Sequence, residues 1–364
     1  MKLLDKEEIQ MAFLVGDVTG IPKSLSDDPY ADIDLQKNVK PLTPVKITFD
    51  KPVAIIINPN SGKKRDVTAL ISSRLTTSGI AFTYFESTRA FMTWELAESG
   101  IELSEFSALI AVGGDGTYHD VINGMLHRAD KKRIPVGFVP NGSGNDMLRA
   151  LGVTDIAKAL DYIVKGDLLK ADLVKVLLDC ENESDIPLDD KEERRSKYRY
   201  QLVNSSFNVP AKLNRRATGW KWCCCMNPYE VAAVIEFTKL VYEPVDIYVD
   251  GSAEPLFKDV ETPFLMCLSG KHGGNGCLLN PIGVINDGLI ELLVVKGRVG
   301  PAAMVRYMNQ STKEGGIHVY DKDVSIVRGH TFKLVSKRKS TPETPPHVLA
   351  IDGEVLYFKD TLKY

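Results

Sequence analysis

The stretch Ala108-Leu-Ile-Ala-Val-Gly-Gly-Asp-Gly-Thr117 joins a short apolar run to a glycine-rich turn. The apolar residues predict a buried strand, and the residues from Thr117 to His127 have the pattern of a helix. Glycine allows a backbone to approach a ligand closely, and Thr117 is suited to cap the helix. The turn around Asp115 is therefore a candidate ligand site, while a tight turn with Asp115 as a capping residue explains the same residues.

Two further glycine-containing turns follow the same plan of strand, turn and helix. Val53-Ala-Ile-Ile-Ile57 ends in Asn58-Pro-Asn-Ser-Gly62, and Pro135-Val-Gly-Phe-Val139 ends in Pro140-Asn-Gly-Ser-Gly-Asn145. Short apolar strands that alternate with helices are typical of a parallel sheet with helices on both faces. Ligands bind beyond the carboxyl ends of such strands, so the three turns are expected to converge on one cleft. The sequence predicts a Rossmann-like N-terminal domain.

The character of the chain changes after about residue 165, where strand-like segments replace the alternation of strands and helices. These segments predict a C-terminal antiparallel β-sandwich, so the fold class is α/β plus all-β. The expected division is an N-terminal arm over 1–50, an α/β domain over 51–165 and a sandwich domain over 166–364. A helix is predicted from about Tyr229 to Leu240, and the charged residues 180–197 are expected to form a mobile loop.

The composition is that of an ordinary globular protein. The 364 residues are 44% apolar and 26% charged, with a net charge of −3. Such a balance gives no general attraction to nucleic acid, so none is expected as a partner. The N-terminus lacks the apolar run of a signal peptide, and no stretch approaches the ~18 apolar residues of a spanning helix. Six cysteines without paired spacing fit a reducing compartment, so a cytoplasmic protein is expected.

Several common phosphate-handling and hydrolytic motifs are absent from the sequence. It contains no G-x-x-x-x-G-K-[ST] loop, neither the H-R-D nor the D-F-G motif of protein kinases, and no G-x-S-x-G nucleophile elbow. These absences exclude a P-loop site and a protein-kinase site.

In order and spacing, the motifs resemble the catalytic domain of the diacylglycerol kinase and sphingosine kinase superfamily. The N-terminal half carries Asn58-Pro-Asn-Ser-Gly-Lys63, Gly113-Gly-Asp-Gly-Thr117 with His119-Asp-Val-Ile-Asn-Gly124, and Pro140-Asn-Gly-Ser-Gly-Asn-Asp146. The C-terminal half carries Gly273-Gly-Asn-Gly276, Asn280-Pro281, Asn286-Asp-Gly-Leu-Ile-Glu291 and Ile351-Asp-Gly-Glu354. The resemblance covers about residues 52–358 and implies an ATP-dependent lipid kinase, with substrate and nucleotide meeting between the two domains.

The resemblance also implies roles for individual residues. Asp115 is the expected catalytic carboxylate, taking the proton of a lipid hydroxyl, holding Mg²⁺, or both. Glu354 is expected near the nucleotide and the reacting phosphate. The residues implied in binding ATP are Asn58, Asn60, Lys63, Gly114, Gly116, Thr117, Asp120, Gly142, Ser143, Gly144, Asn145 and Arg216. The implied cofactors are ATP and Mg²⁺, because phosphoryl transfer depends mostly on positioning and charge neutralisation.

Departures from the family pattern concern a metal or base contact on the helix after Gly-Gly-Asp-Gly, and the lipid. The helix after Gly-Gly-Asp-Gly usually carries Glu where this chain has Asp120, and Pro210 and Lys212 stand about where sphingosine kinases place acidic residues. An amine would lack a counter-charge there, which weakens the case for a sphingoid base against ceramide or diacylglycerol. Trp220-Lys-Trp-Cys-Cys-Cys-Met226 suits a transient membrane contact, although a buried strand of the sandwich is the more common explanation of such a sequence. The sequence leaves a homodimer or a larger assembly open.

Two alternatives to a lipid kinase stay in view. NAD kinases share the Gly-Gly-Asp-Gly motif and the fold, but their second motif resembles Thr-Pro-x-Gly-Ser-Thr, which is not seen here. A catalytically inactive pseudokinase that serves as a structural subunit is favoured by Asp120 and by the altered lipid segment. The retained Asp115 and Glu354 argue against it.

Overall fold

A seven-stranded sheet organises the N-terminal half of the chain. The computed structural model describes residues 10–14, 45–59, 61, 66–142, 144–153, 155–187, 190–219, 228–274, 276–338, 341 and 346–364. The strands of this sheet are β1 (Gln10–Leu14), β2 (Val45–Lys46), β3 (Val53–Ile57), β4 (Phe82–Glu86), β5 (Ala108–Gly113), β6 (Val136–Pro140) and β7 (Asp167–Asp172). They lie in the order β2-β7-β1-β6-β5-β3-β4. The last four strands of this order, β6, β5, β3 and β4, run parallel to one another.

Helices cover both faces of this sheet. They are α1 (Thr68–Thr77), α2 (Met92–Glu95), α3 (Asp115–Leu126), α4 (Asp146–Ala150) and α5 (Ile156–Lys165), and α2 continues as a π-helix over Leu96–Gly100. The positions of the β3 side chains explain why its sequence is apolar without alternation. Ala54 and Ile56 pack on one side of the sheet, in the cluster that contains Tyr118 of α3. Val53 and Ile55 pack on the other side, in the cluster that contains Ile71 of α1. Both faces of a parallel strand are buried in this arrangement.

The C-terminal half forms two antiparallel sheets that face each other. Their strands are β8 (Val174–Leu178), β9 (Tyr198–Gln201), β10 (Asn204–Asn208), β11 (Glu243–Val249), β12 (Phe257–Thr262), β13 (Phe264–Leu268), β14 (His272–Gly273), β15 (Cys277–Leu278), β16 (Ile290–Val295), β17 (Val324–Gly329), β18 (Phe332–Ser336), β19 (His347–Ile351), β20 (Glu354–Phe358) and β21 (Thr361–Lys363), of which β14 and β15 form a separate hairpin. One sheet has the order β17-β16-β13-β10-β19-β20, and the other β12-β11-β18-β21-β8-β9. Phe207 and Leu292 of the first pack with Ile247 and Phe332 of the second, so the core lies between the sheets. The predicted fold class is confirmed.

Among the described residues of this half, the α-helices are α6 (Lys191–Lys197), α7 (Val209–Gly219), α8 (Pro228–Thr238) and α9 (Pro301–Lys313). Short 3₁₀ helices lie at Leu103–Glu105, Glu183–Asp185 and Ile317–Tyr320. Phe237 of α8 and Met304 of α9 pack against Met266 and Leu293, on the outer face of the first sandwich sheet. Helix α8 confirms the helix predicted near Tyr229, while α7 and α9 were not predicted. Within the described ranges, no helix is long and apolar enough to cross a bilayer.

The prediction of an N-terminal arm over 1–50 is wrong for two segments, which form strands of the first sheet. Residues Gln10–Leu14 pair antiparallel with β7, and Phe13 is in register with Val136 of β6, so β1 lies inside the sheet. Val45–Lys46 pairs with the other edge of β7. The predicted boundary at 165/166 falls just before β7, which belongs to the first sheet, and the division of the chain into domains stays a prediction. Backbone pairing across more than a hundred residues leaves no signal in local periodicity.

The charged segment 180–197 is ordered where the structure describes it, so the expectation of a mobile loop is wrong there. Asp190 caps α6, because its side chain accepts a 2.8 Å hydrogen bond from the backbone N–H of Glu193. Arg195 of α6 forms an ion pair with Glu98 of the π-helix at 3.1 Å. Alternating charges that looked like a solvated loop therefore attach a helix to the N-terminal domain.

Candidate active site

The turns that follow β5 and β6 touch each other through glycine. A Cβ added at Gly142 would lie 2.3 Å from the Cα of Gly114, and one added at Gly114 would lie 2.9 Å from the Cα of Gly142. Real side chains do not tolerate such distances, so only glycine at both positions allows this approach. The carboxyl ends of two parallel strands are thus joined into one surface, as the motifs predicted.

Asp115 begins helix α3 on that surface. Its Oδ2 accepts a hydrogen bond from the backbone N–H of Asp146 at 3.2 Å, and its Oδ1 accepts one from the N–H of Met147 at 3.4 Å. Burial, aided by the negative charge of Asp146, raises the pKa of Asp115 to about 6. The first turn of α4 therefore holds a carboxylate that is a stronger proton acceptor than an exposed aspartate.

The C-terminal half reaches the same place through the β14–β15 hairpin. The backbone N–H of Gly276 donates a 2.6 Å hydrogen bond to Oδ1 of Asp146, whose side chain is buried. Burial, and then the charges of Asp146 and Asp115, raise the pKa of Tyr229 of α8. The two halves of the chain therefore meet at Asp146, the residue whose N–H holds Asp115.

Glu354 approaches α3 from the sandwich. A Cβ added at Gly116 would lie 3.2 Å from Oε1 of Glu354. Glu354 is the first residue of β20 and follows a turn in which Asp352 and Gly353 both have positive φ. The structure thus brings Glu354 next to Gly116, one residue after Asp115, although more than two hundred residues separate them in sequence.

Asp120 lies one turn further along α3 and faces positive charge. Burial raises the pKa of Asp120 to about 6; His119, Arg199 and Arg195 oppose the increase, and Glu354 adds to it. The side chain of Arg199 is 6% exposed, and its guanidinium lies 4.8 Å from the ring centroid of Trp94. Burial lowers the pKa of Arg199 to about 10, against the attraction of Asp120 and Glu354. The motifs did not identify Arg199, because its neighbours Tyr198 and Tyr200 give it the local sequence of a core position.

The remaining described motif residues shape the turns themselves. Nδ2 of Asn58 donates to Oγ1 of buried Thr117 at 3.4 Å. Asn145, in the left-handed conformation with φ 54°, donates to the carbonyl of Gly142 at 3.1 Å and accepts from its N–H at 3.3 Å. The carbonyl of Gly144 accepts from Nε of Arg149 at 2.9 Å. These contacts account for the amide and glycine residues as parts of rigid turns.

Comparison with known proteins adds the family. Residues 52–176 match the family described as Diacylglycerol kinase catalytic domain, and residues 204–358 match the one described as YegS C-terminal NAD kinase beta sandwich-like domain. These matches give the chain a diacylglycerol kinase catalytic domain in its N-terminal half and a YegS-like sandwich domain in its C-terminal half.

Similar proteins with known names match different shares of this chain. Diacylglycerol kinase of Bacillus subtilis (strain 168) is 26% identical over 314 residues, which are 84% of this chain and 90% of that protein. Sphingoid long-chain bases kinase 1 of Arabidopsis thaliana is 36% identical over 130 residues, 34% of this chain and 17% of that protein. A diacylglycerol kinase structure from Bacillus anthracis str. Sterne aligns with a TM-score of 0.57 and 17% identity, over 87% of this chain and 94% of that one. The structural likeness shows a shared fold.

Five of the predictions stand apart from the contacts above. Asn60, Lys63 and Ser143 lie outside the described residues, as does the segment 220–227. Arg216 of α7 is described, and its Nε donates to Oε1 of buried Glu236 at 2.6 Å. Nearby on α7, Nδ2 of Asn214 donates to the carbonyl of Gly353 at 3.0 Å, so this helix borders the turn before Glu354. A role for Arg216 toward ATP stays a prediction.

Proposed function

We propose that this chain is an ATP-dependent lipid kinase that transfers the γ-phosphoryl group of ATP to a hydroxyl of a sphingoid base, ceramide or diacylglycerol. The match to the diacylglycerol kinase catalytic domain and the likeness to proteins named diacylglycerol kinase support ATP and a lipid as substrates. The observation that carries the proposal is the carboxylate of Asp115, held by the backbone N–H groups of Asp146 and Met147 where two glycine-rich turns meet.

The turns and the start of α3 suit the phosphates of ATP. Backbone N–H groups at a helix N-terminus carry partial positive charge and favour an anion, and glycine permits its close approach. Gly114, Gly116, Gly142 and Gly144 line this surface in our proposal, with Asn58, Thr117 and Asn145 fixing its shape. Asn60, Lys63, Ser143 and Arg216 complete the proposed ATP site. Asp120 is assigned to its edge.

Asp115 is the proposed general base. The lipid hydroxyl oxygen forms a bond to the γ-phosphorus, the bond from this phosphorus to the β,γ-bridging oxygen breaks, and ADP leaves. The hydroxyl proton passes to Asp115. A raised pKa supports the role, because a base with a pKa closer to the working pH accepts protons better while staying mostly ionised.

Asp115 also suits Mg²⁺, whose sites combine one or two carboxylates with phosphate oxygens and water. Each of its oxygens accepts one backbone hydrogen bond, at 3.2 and 3.4 Å, which leaves lone pairs for a cation. Such a site needs few protein ligands, and the described part of the chain has no group of three or more His, Cys, Asp or Glu side chains arranged for a metal. Mg²⁺ supplies neutralisation of the phosphate charge when bound with ATP, and Glu354 is proposed to lie beside those phosphates.

The sandwich, in the proposed division 166–364, is the proposed lipid-binding domain. A lipid acceptor has to be drawn from a bilayer, so transient contact with a membrane surface from the cytoplasmic side is part of the proposal. The absence of an acidic side chain at Pro210 and Lys212 favours an acceptor without an amine.

A lipid panel tests the proposal. Wild-type protein, Asp115→Asn and the control Asp161→Asn are incubated with labelled ATP, Mg²⁺ and vesicles that contain a sphingoid base, ceramide or diacylglycerol. Asp161 is a half-exposed carboxylate on α5 that pairs with Arg74 at 2.6 Å, so its replacement removes one charge far from the turns. We expect labelled lipid with wild-type protein and with the control, and a rate about 10²- to 10⁴-fold lower for Asp115→Asn, since general-base catalysis contributes about this much.

Other outcomes of the panel would contradict the proposal. Turnover of NAD with no labelled lipid would identify an NAD kinase-like enzyme. Binding of ATP with Mg²⁺, without turnover of any acceptor, would identify a pseudokinase. Wild-type rates in Asp115→Asn would remove Asp115 from catalysis.

A further inference from the structure

We propose that His119 is a positioning residue, which fixes the turn that carries Glu354 against the helix that carries Asp115. The inference rests on the proposed function for its kinetic consequence. Its structural part, the coupling of the two halves of the chain through one imidazole, stands on contacts alone.

The contact joins two buried side chains. Nδ1 of His119 lies 2.9 Å from Oδ2 of Asp352, and each side chain is 1% exposed. His119 is one turn beyond Asp115 on α3, and Asp352 is two residues before Glu354. A hydrogen bond to a charged group in such a dry environment is stronger than a neutral one.

Asp352 is anchored in the sandwich independently of His119. Its carboxylate accepts hydrogen bonds from the backbone N–H groups of Leu202 and Val203 at 2.8 Å and of Asn204 at 3.1 Å. These neighbours are all donors, so Nδ1 of His119 carries the hydrogen that it shares with Asp352. His119 thus connects helix α3 to a carboxylate that the backbone of the C-terminal half already holds.

Another contact keeps α3 on the sandwich when His119 is changed. Nδ2 of Asn123 donates to the carbonyl of Tyr200 at 2.8 Å, and the N–H of Tyr200 donates to Oδ1 of Asn123 at 2.7 Å. Loss of the imidazole therefore leaves the two halves docked through Asn123. What is lost is the direct contact between α3 and the Asp352 carboxylate, two residues before Glu354.

The turn in question sets the approach of Glu354 to the site. Oε1 of Glu354 lies 3.2 Å from where a Cβ on Gly116 would be, so little room separates the carboxylate from the helix start. A small shift of Asp352 relative to α3 moves Glu354 relative to Asp115. Displacements of about 1 Å in a catalytic arrangement can lower rates by about 10²-fold.

The substitutions that test this exploit the shape of the imidazole. Nε2 of His119 has no hydrogen-bond partner within the described ranges, so the donor that matters is Nδ1. Asparagine places its amide nitrogen about where Nδ1 lies, and leucine has nearly the shape of asparagine without a donor. His119→Asn and His119→Leu are therefore a matched pair that differs in this one hydrogen bond.

His127 offers a control in the same environment. It follows the end of α3, is largely buried, and its ring lies 4.9 Å from that of Trp94, but it does not contact Asp352. His127→Leu removes a buried imidazole without touching the turn before Glu354.

Two measurements are made on the full chain. For kcat with the accepted lipid, we expect a decrease of about 10- to 100-fold in His119→Leu, with the KM for ATP unchanged, and near wild-type values in His119→Asn and His127→Leu. For hydrogen exchange measured by mass spectrometry, we expect faster exchange of residues 350–356 in His119→Leu and unchanged exchange there in the other two variants.

The measurements separate failure of this inference from failure of the proposed function. Equal kcat and equal exchange in the asparagine and leucine variants would overturn the positioning role, as would the same changes in His127→Leu. If wild-type protein phosphorylates no lipid, the proposed function fails, and the exchange of residues 350–356 alone then decides whether His119 holds the turn.

Discussion

Oδ1 of Asp146 accepts a 2.6 Å hydrogen bond from the backbone N–H of Gly276. The same residue uses its own N–H to hold Asp115 at 3.2 Å. Asp146 thus links the β14–β15 hairpin of the sandwich to the carboxylate at the start of α3. The link passes through a main-chain donor, so it depends on the backbone path of the hairpin.

Removal of the Asp146 side chain should loosen this link. We expect Asp146→Ala to lower the free energy of unfolding by about 1.5–3 kcal/mol, the range for a hydrogen bond to a charged group. Asp146→Asn keeps an oxygen acceptor for Gly276 and should lose less. Urea unfolding of the three proteins measures both changes, and equal stability of the alanine and asparagine variants would contradict the prediction.

Gly114 and Gly142 lie so close together that one added methyl group should push the two turns apart. A Cβ in Gly142→Ala would lie 2.3 Å from the Cα of Gly114, so we expect the turns to move apart. Unfolding free energy should fall by about 1–3 kcal/mol, as in other overpacked sites, and ATP affinity should fall with it. Gly300→Ala is the control, because its Cβ would meet no atom within 4 Å. Equal ATP affinity in both variants would refute this account.

Arg199 is expected to support turnover through its charge. Arg199→Met keeps much of the stem over Trp94 but leaves Asp120 and Glu354 without the guanidinium that faces them. We expect kcat/KM to fall about tenfold, the equivalent of about 1.4 kcal/mol, and Arg199→Lys to lie between, since lysine keeps the charge but not the planar stack. Steady-state kinetics with the accepted lipid measure this. The exposed Arg298, paired with Glu261 at 2.7 Å, gives the control Arg298→Met.

Because His318 is buried, we expect the free energy of unfolding to depend on pH. Burial lowers the pKa of His318 to about 4, so the folded protein keeps this ring neutral where the unfolded chain takes up a proton. Its contribution to stability is complete above about pH 6.5 and is lost as the pH falls toward 4, by up to about 3 kcal/mol. In the wild-type protein, Nε2 of His318 donates to the carbonyl of Leu279 at 3.1 Å. In His318→Gln the amide nitrogen can still donate to this carbonyl, but the side chain does not titrate. Urea unfolding from pH 4 to 7 should show a flatter curve for the variant, and parallel curves would contradict the prediction.

Local sequence patterns predicted the part of the fold that local patterns determine. Strands such as Val53–Ile57 and the turns that follow them are consecutive in sequence, so apolar runs and glycine identify them directly. The places where prediction was wrong involve partners far apart: Gln10–Leu14 beside β7, and α6 beside Glu98. Helix α7 was missed because Val209, Ala211 and Ala217 bury one narrow face of a mostly polar helix.

The candidate site divides in the same way. Gly114, Asp115 and Gly142 were identifiable because each belongs to a short motif at a strand end. Arg199 and the pairing of His119 with Asp352 were not identifiable, since burial and distance across the two halves define them. A strand residue whose neighbours are Tyr198 and Tyr200 has the local sequence of a core position, and only the fold reveals that its charge faces Asp120.

Strand β1 has a practical consequence for producing the protein. Because Gln10–Leu14 lies between β6 and β7, a chain shortened at its beginning would carry two unpaired strand edges in the middle of a sheet. Exposed edges of that kind are templates for pairing with other molecules and lead to aggregation. The match to the catalytic domain begins at residue 52, so a version of the protein that starts there would lack β1. Residues Gln10–Leu14 therefore belong in any expressed version, because they cover the strand edges that would otherwise promote self-association.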